Sequence, residues 1–205
     1  MLHADLAGRP ALSLALGLVA ALGQGTNNPS KPESKGEKKS VNTKEVAVIK
    51  TTEGEMVIEF WPDVAPKTVE NFKTLAKKGF YDGTCFHRVI KGFMIQAGVL
   101  TASGMEKHSN APPVPNEADN GLKNRRGTLS MARTNDPHSA TSQFFINLVD
   151  NAFLDPGRGG AGYAVFGHVV EGMDVVDKMA TMKTGSKAGH QDVPVTPIEV
   201  TSARR

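Results

Sequence analysis

The sequence predicts a mainly β domain closed into a barrel, with few helices. Three observations carry this. Apolar residues alternate along 45–61, as they do in a hairpin with one buried face. Short apolar runs recur at 89–95, 127–132, 142–148, 163–170 and 194–200, separated by turn-forming stretches. Helical spacing is confined to 66–78 and 173–179. Many short strands with few helices are best accommodated by closure, which leaves no exposed edge.

Taken in order, Val46 and Val48 mark the buried face of a first strand, and Thr52-Glu53-Gly54 turns the chain. Met56, Ile58 and Phe60 then line a second strand. A helix follows over 66–78. Pro66 suits its first turn and Gly79 the position just past its end. Val69, Phe72, Leu75 and Ala76 form its core stripe, with Lys67, Glu70, Lys73 and Lys77 elsewhere. Asp82-Gly83 is a turn feeding FHRVIKGFMIQ (86–96), two short strands split by Lys91-Gly92. Residues 101–126 form a long loop, of the kind that covers or serves a site. Strands follow at 127–132 and 142–148, joined by a polar loop, and another at 163–170. Met173 to Met179 make the second helix, and Pro194, Val195, Ile198 and Val200 a last strand.

Charge is unevenly placed. Of 24 basic and 21 acidic residues, six and three fall within residues 1–44, so the remainder carries 18 of each. A neutral domain does not support a nucleic-acid footprint despite the basic pI of about 9.0. One cysteine, Cys85, excludes an intramolecular disulfide and reads as a small buried thiol. The apolar run 11–23 is short for a membrane span, which needs about 20 residues, and has the length of a signal-peptide core. Residues 1–23 are therefore expected to be a signal peptide, with export to a periplasmic or secreted location. A membrane anchor over 11–23 or a cytoplasmic location is the alternative. Residues 24–44, polar and rich in Gly, Pro, Ser, Asn and Lys, are expected to be a disordered linker. The folded domain then spans 45–205.

Within 86–96 the polar residues are His87, Arg88 and Gln96. On one reading Arg88 simply reaches solvent and Phe93 and Met94 are core. On another, Arg88 and Gln96 supply donors above an apolar floor of Phe93 and Met94, a site for an uncharged, partly hydrophobic ligand. SQFFI (142–146) again sets a glutamine beside aromatics.

These two stretches together resemble the cyclophilins, the cyclosporin-binding type of peptidyl-prolyl cis-trans isomerase. APKTVENF (65–72), GFYDGT (79–84), GTLSMA (127–132) and YAVFGHVVEGMDVVD (163–177) fit in the family's order, and Tyr163 and GHQDVP (189–194) look bacterial. The resemblance spans about Glu45 to Thr201. It implies an eight-stranded antiparallel barrel closed by two α-helices, with a groove on the outer wall. It implies that Arg88 is catalytic and that Phe93, Met94, Phe145 and Leu154 form a proline pocket. Gln96 and Gln143 would hydrogen-bond the peptide, Ala132 and Arg133 would present backbone to it, and His87 and Tyr163 would flank the groove. The implied partners are proline-containing, unfolded or folding polypeptides, bound by a monomer without cofactor, metal or stable membrane insertion. Ala97 stands where the family usually has glycine, Arg133 where eukaryotic members commonly have asparagine, and Phe153 where they carry the indole that contacts cyclosporin.

Those residue types suit rotation about an X-Pro bond. The barrier is roughly 18–20 kcal/mol because the C–N bond has double-bond character. No bond is made or broken, so neither nucleophile nor metal is required. A guanidinium placed against the prolyl nitrogen stabilises its lone pair as the amide twists. Among other motifs, Gly157 to Gly162 matches GxGxxG formally but leads into a strand and not a helix. The six histidines show no pair at ligand spacing on one element, and no GxSxG elbow occurs. The competing function is a proline-segment chaperone or adaptor without turnover.

Overall fold

The computed structural model describes residues 45–158, 160–187 and 189–204. The expected leader and linker lie outside the described residues. The described residues form ten strands and two α-helices: β1 (Val46–Thr51), β2 (Gly54–Phe60), α1 (Pro66–Lys77), β3 (Arg88–Ile90), β4 (Met94–Ala97), β5 (Thr128–Met131), β6 (Phe144–Asn147), β7 (Val165–Glu171), α2 (Met173–Ala180), β8 (Thr184–Lys187), β9 (His190–Pro194) and β10 (Val200–Arg204). Eight of the strands form one curled antiparallel sheet in the order β10-β1-β2-β7-β5-β6-β4-β3.

Closure is less complete than a full barrel. The edge strands β10 and β3 are joined by no continuous ladder. Their preceding residues meet instead, through a single Cys85–Glu199 bridge. Phe86 N–H donates to Ile198 O at 2.9 Å and Val200 N–H to Thr84 O at 2.7 Å. This seam draws the two ends of the sheet together just before β3 and β10.

The inner face buries Met56, Ile58 and Phe60 of β2, Ile95 and Ala97 of β4, Leu129 and Met131 of β5, and Phe144 and Ile146 of β6. In β1 the buried residues are Ala47, Ile49 and Thr51, and Val46 is exposed. The expected phase of that strand is therefore shifted by one residue. Alternation in a run of four apolar residues does not fix which set faces inward; pairing with β2 and β10 does.

Helix α1 buries the stripe read from the sequence, and Thr68 with it. Its Phe72 ring lies 4.8 Å from Tyr81, 5.4 Å from both Phe60 and Phe144, and 5.6 Å from Phe166, centroid to centroid. Truncating such a ring costs about 3–5 kcal/mol. The helix has no side-chain cap of its own at Ala65. Glu117, from the long loop, accepts from Lys67 N–H at 3.1 Å, Thr68 N–H at 2.9 Å and Thr68 Oγ1 at 2.7 Å. A carboxylate is the favoured partner for these orphan donors, so the loop is fastened to the helix.

Helix α2 buries Val176 and Met179. The β8–β9 hairpin stands apart as a two-stranded sheet, and its polar, Gly-containing sequence carries no alternation that would reveal it. The last strand begins only at Val200; Ile198 is buried before it, but Val195 is 62% exposed.

Candidate functional site

The groove is built from register. Arg88 lies opposite Gln96, Gln96 opposite Phe145, and Phe145 opposite Ser130. Directly paired residues share a face of a sheet, so Arg88, Gln96 and Phe145 form a row across β3, β4 and β6. Met94, two residues before Gln96, is on the same face. Met94, Phe145 and Leu154 are buried together, with Ile90, Phe93, Ala132 and Tyr163 packed around them. This small apolar cluster is separate from the main core.

Over it opens a cavity of about 170 Å³. Phe93, Met94, Phe145, Leu154 and Tyr163 give it an apolar lining, and Arg88, Gln96, Ala132 and Arg133 complete it. The Tyr163 ring meets Phe145 edge-on, 5.7 Å between centroids. Phe153, 63% exposed, stacks on Phe93 at 5.5 Å and extends the apolar rim. A larger cleft of about 620 Å³ lies between α1 and β1. It sets Glu70, Lys73, Lys77 and Arg204 around Ala47, Phe60, Phe72 and Ala76, but those apolar residues belong to the main core and not to a separate outward-facing cluster.

Arg88 is exposed and makes no hydrogen bond or ion pair among the described residues. Its donors are therefore free for a ligand. Gln96 is held by its neighbour: its Nε2 donates to Gln143 Oε1 at 2.9 Å. Gln143 does not itself line the cavity. The main-chain donors at 132 and 133 are not alike. Ala132 N–H already donates to Gln143 O at 3.0 Å. The neighbouring Arg133 N–H has no partner among the described residues and is the free one of the two.

His87 does not flank the groove. One residue before Arg88, it faces the opposite side of the sheet and is 9% exposed. There it lines a small cavity of about 30 Å³ with Cys85, Leu100 and His190. Burial pushes its pKa down to about 4; a hydrogen bond to the Cys85 main chain opposes this, and the charges of His190 and Arg88 add to it. Burial likewise pushes the Cys85 thiol up to about 11, helped by Glu199, as befits an inert structural cysteine.

Ala97 sits inside β4, paired with Phe144, and the left-handed residue is the next one, Gly98, at φ 105°. A Cβ on Gly98 would come within 2.5 Å of Ser142 O. Glycine is needed at 98, and position 97 tolerates alanine.

A buried polar network behind the groove was not legible in the sequence. Asn151 Nδ2 donates to Phe93 O at 3.0 Å and to Asn147 Oδ1 at 2.8 Å. Asn124 donates to Asp155 Oδ1 through its main-chain N–H (2.8 Å) and its amide (3.1 Å). Asn151 N–H donates to Asn124 O, and Leu154 N–H to Asn151 O. Phe93 and Leu154, two walls of the pocket, are thus fixed through their backbones. Nothing in the spacing of these asparagines announces the network, because its members come from four separate segments. Among the described residues no group of three or more His, Cys, Asp or Glu could hold a metal. No described helix is long and apolar enough to cross a membrane.

An outward-facing apolar pocket beside an exposed guanidinium, on a curled eight-stranded antiparallel sheet with two helices, is the candidate site. The family model described as cyclophilin type peptidyl-prolyl cis-trans isomerase matches residues 46–205. The chain belongs to that family. It is 56% identical over 159 residues to peptidyl-prolyl cis-trans isomerase cyp18 of Streptomyces antibioticus, covering 76% of this chain and 95% of the relative. It is 53% identical over 155 residues to peptidyl-prolyl cis-trans isomerase B of Escherichia coli, covering 74% and 94%. Among solved structures it resembles a Cryptosporidium parvum cyclophilin type isomerase crystallised in the presence of the dipeptide Ala-Pro. That match has a TM-score of 0.64 and 28% identity, over 78% of this chain and 98% of that one.

Proposed function

We propose that the chain catalyses cis-trans isomerisation of X-Pro peptide bonds at this groove, with Arg88 as the catalytic residue. The observation that carries the reading is the unpaired Arg88 guanidinium beside an apolar pocket. Uncatalysed exchange takes about 10–100 s. The pocket of Phe93, Met94, Phe145 and Leu154 holds the prolyl ring while the preceding residue rotates. The Arg88 donors meet the prolyl nitrogen as its lone pair localises, so the twisted amide is bound better than either planar form. Each tenfold in rate needs about 1.4 kcal/mol of that preference. Gln96, steadied by Gln143, and the Arg133 N–H hold the peptide backbone on either side of the row.

The clients in this reading are proline-containing segments of unfolded or folding proteins, and the working unit is a monomer. The apolar run 11–23 directs export, with residues 24–44 as a tether; the mass of the protein recovered outside the cytoplasm would test cleavage. Isomerisation of a proline test peptide by the wild-type chain and by Arg88→Ala decides the activity. Turnover lost in a folded variant supports the assignment. Equal rates remove Arg88 from the mechanism. Peptide binding without turnover in either protein favours the chaperone or adaptor reading.

A further inference from the structure

We infer that Arg133 selects among substrates, favouring proline segments that carry a carboxylate within a few residues of the proline. The inference rests on the isomerase reading and names its substrate class. Rotation requires one guanidinium at the prolyl nitrogen, but the groove holds two. Arg88 and Arg133 both line it, and no Asp or Glu does. Among the described residues neither arginine forms an ion pair.

Arg133 differs from an ordinary surface arginine in being locked. Its Nε and Nη2 donate to Gly162 O at 3.1 and 3.0 Å, and its Nη1 to Thr134 O at 2.8 Å. Its guanidinium carbon lies 4.5 Å from the centre of the Tyr163 ring. The acceptor is locked too: Gly162 has φ 67°, and a Cβ there would come within 2.5 Å of Pro156 N. Every partner is a neutral carbonyl or a ring, so the charge has been positioned but not compensated. Of five guanidinium N–H groups, three are used, leaving two for a ligand. A carboxylate meeting them binds a preorganised fork and loses little further side-chain freedom. A neutral peptide in the same place covers the cation without replacing its water.

The register limits where that carboxylate can lie. Arg88 is on β3 and Arg133 just beyond β5, with β4 and β6 between them. Three strand steps amount to roughly 14 Å, the length of about four extended residues. The acidic residue therefore falls within about four positions of the proline.

The test compares kcat/KM for peptides with one proline and a single Glu, or its neutral isostere Gln, placed at each of those positions on either side. The full chain is assayed at about 0.01 M and about 1 M salt, which span weak and strong screening. The expected result is a Glu preference of about threefold or more at one position, shrinking at high salt. In Arg133→Gln the Glu-to-Gln ratio falls toward one, whatever happens to the absolute rate, and Arg133→Lys keeps part of it. A wild-type ratio of one at every position overturns the inference, and so does an unaltered ratio in Arg133→Gln, which would shift the preference to Arg88, Lys91 or Arg158. The wild-type ratio and its salt dependence need no variant to fold. Inactivity toward every peptide overturns the isomerase reading, and the inference with it.

Discussion

Arg88 opens β3 exposed beside the groove, with no partner among the described residues, whereas His87, one residue earlier, is buried on the other side of the same sheet. Both are nitrogen-rich side chains, yet burial keeps the histidine neutral and exposure leaves the arginine available. The two diverge where the strand begins: Arg88 opens β3 at the groove, while His87, just before it, lines the separate small cavity with Cys85, Leu100 and His190. A basic residue is therefore not functional because of where it stands in the chain. It becomes so when the face it occupies also carries a pocket that needs its charge.

The largest effect should come from removing the exposed member. Arg88→Ala is expected to lower kcat/KM by about 10²–10³, the usual loss when one preorganised transition-state donor is deleted, with little change in the urea midpoint. His87→Gln should cost far less turnover. A loss of similar size at His87 would mean that the two faces are coupled and the contrast is false.

Next comes the support behind the pocket. Asn151→Ala removes the donor to Phe93 O and to Asn147 Oδ1. Phe93 O keeps its bond from Leu148 N–H, but Asn147 Oδ1 is left buried without a donor. A stability loss of about 2–3 kcal/mol is expected, measured by urea unfolding, together with a KM that rises more than kcat falls. A kcat loss at constant KM would instead place Asn151 in the rotation step.

These regions also differ in how far they could be read beforehand. Alternation and helical spacing located the strand around Met56 to Phe60 and helix α1, because a half-buried element writes its period into the chain, and the strand at 144–147, buried throughout, showed as an apolar run. The nine residues that line the groove lie in runs where apolar and polar residues adjoin, and the resemblance singled out each of them. What stayed hidden depends on partners distant in sequence. The phase of β1, the β8–β9 hairpin, Glu117 capping a helix fifty residues away, and the asparagine network all follow from tertiary pairing. His87 was misplaced for a related reason: the resemblance put it at the groove, and only the observed facing of β3 turned it inward.

The buried histidine makes a pH prediction with a definite sign. Its folded pKa, about 4, lies below the unfolded value of about 6.5. The unfolded chain therefore binds this proton first as pH falls, and stability declines between about pH 6.5 and pH 4. From pH 7 to pH 5 this one group should cost about 2 kcal/mol, read as a falling urea midpoint that flattens in His87→Gln. Equal slopes in the two proteins would show that a proton reaches His87 in the folded state.

The smallest effect belongs to the surface pair that fastens the 79–83 turn to the end of β10. Arg204 donates to both carboxylate oxygens of Asp82, with Nη1 2.8 Å from Oδ1. That hydrogen bond is the main cause holding the Asp82 carboxyl below its usual range. Burial opposes it, and the Ala203 N–H and the charges of Arg204 and Lys107 assist. Here the carboxylate is the favoured form in the folded chain. Its contribution is complete above the unfolded pKa of about 3.9 and is lost as pH falls below that value. Exposed pairs contribute little, so Arg204→Ala should shift thermal unfolding only slightly at pH 7, and by less as pH falls below about 3.9. The acid side of the stability curve then divides into two windows. One above about pH 4 belongs to a buried base that resists protonation, and one below it to an exposed acid that resists it for the opposite reason. A large effect of Arg204→Ala inside the upper window would mean that the seam between β3 and β10 couples the two.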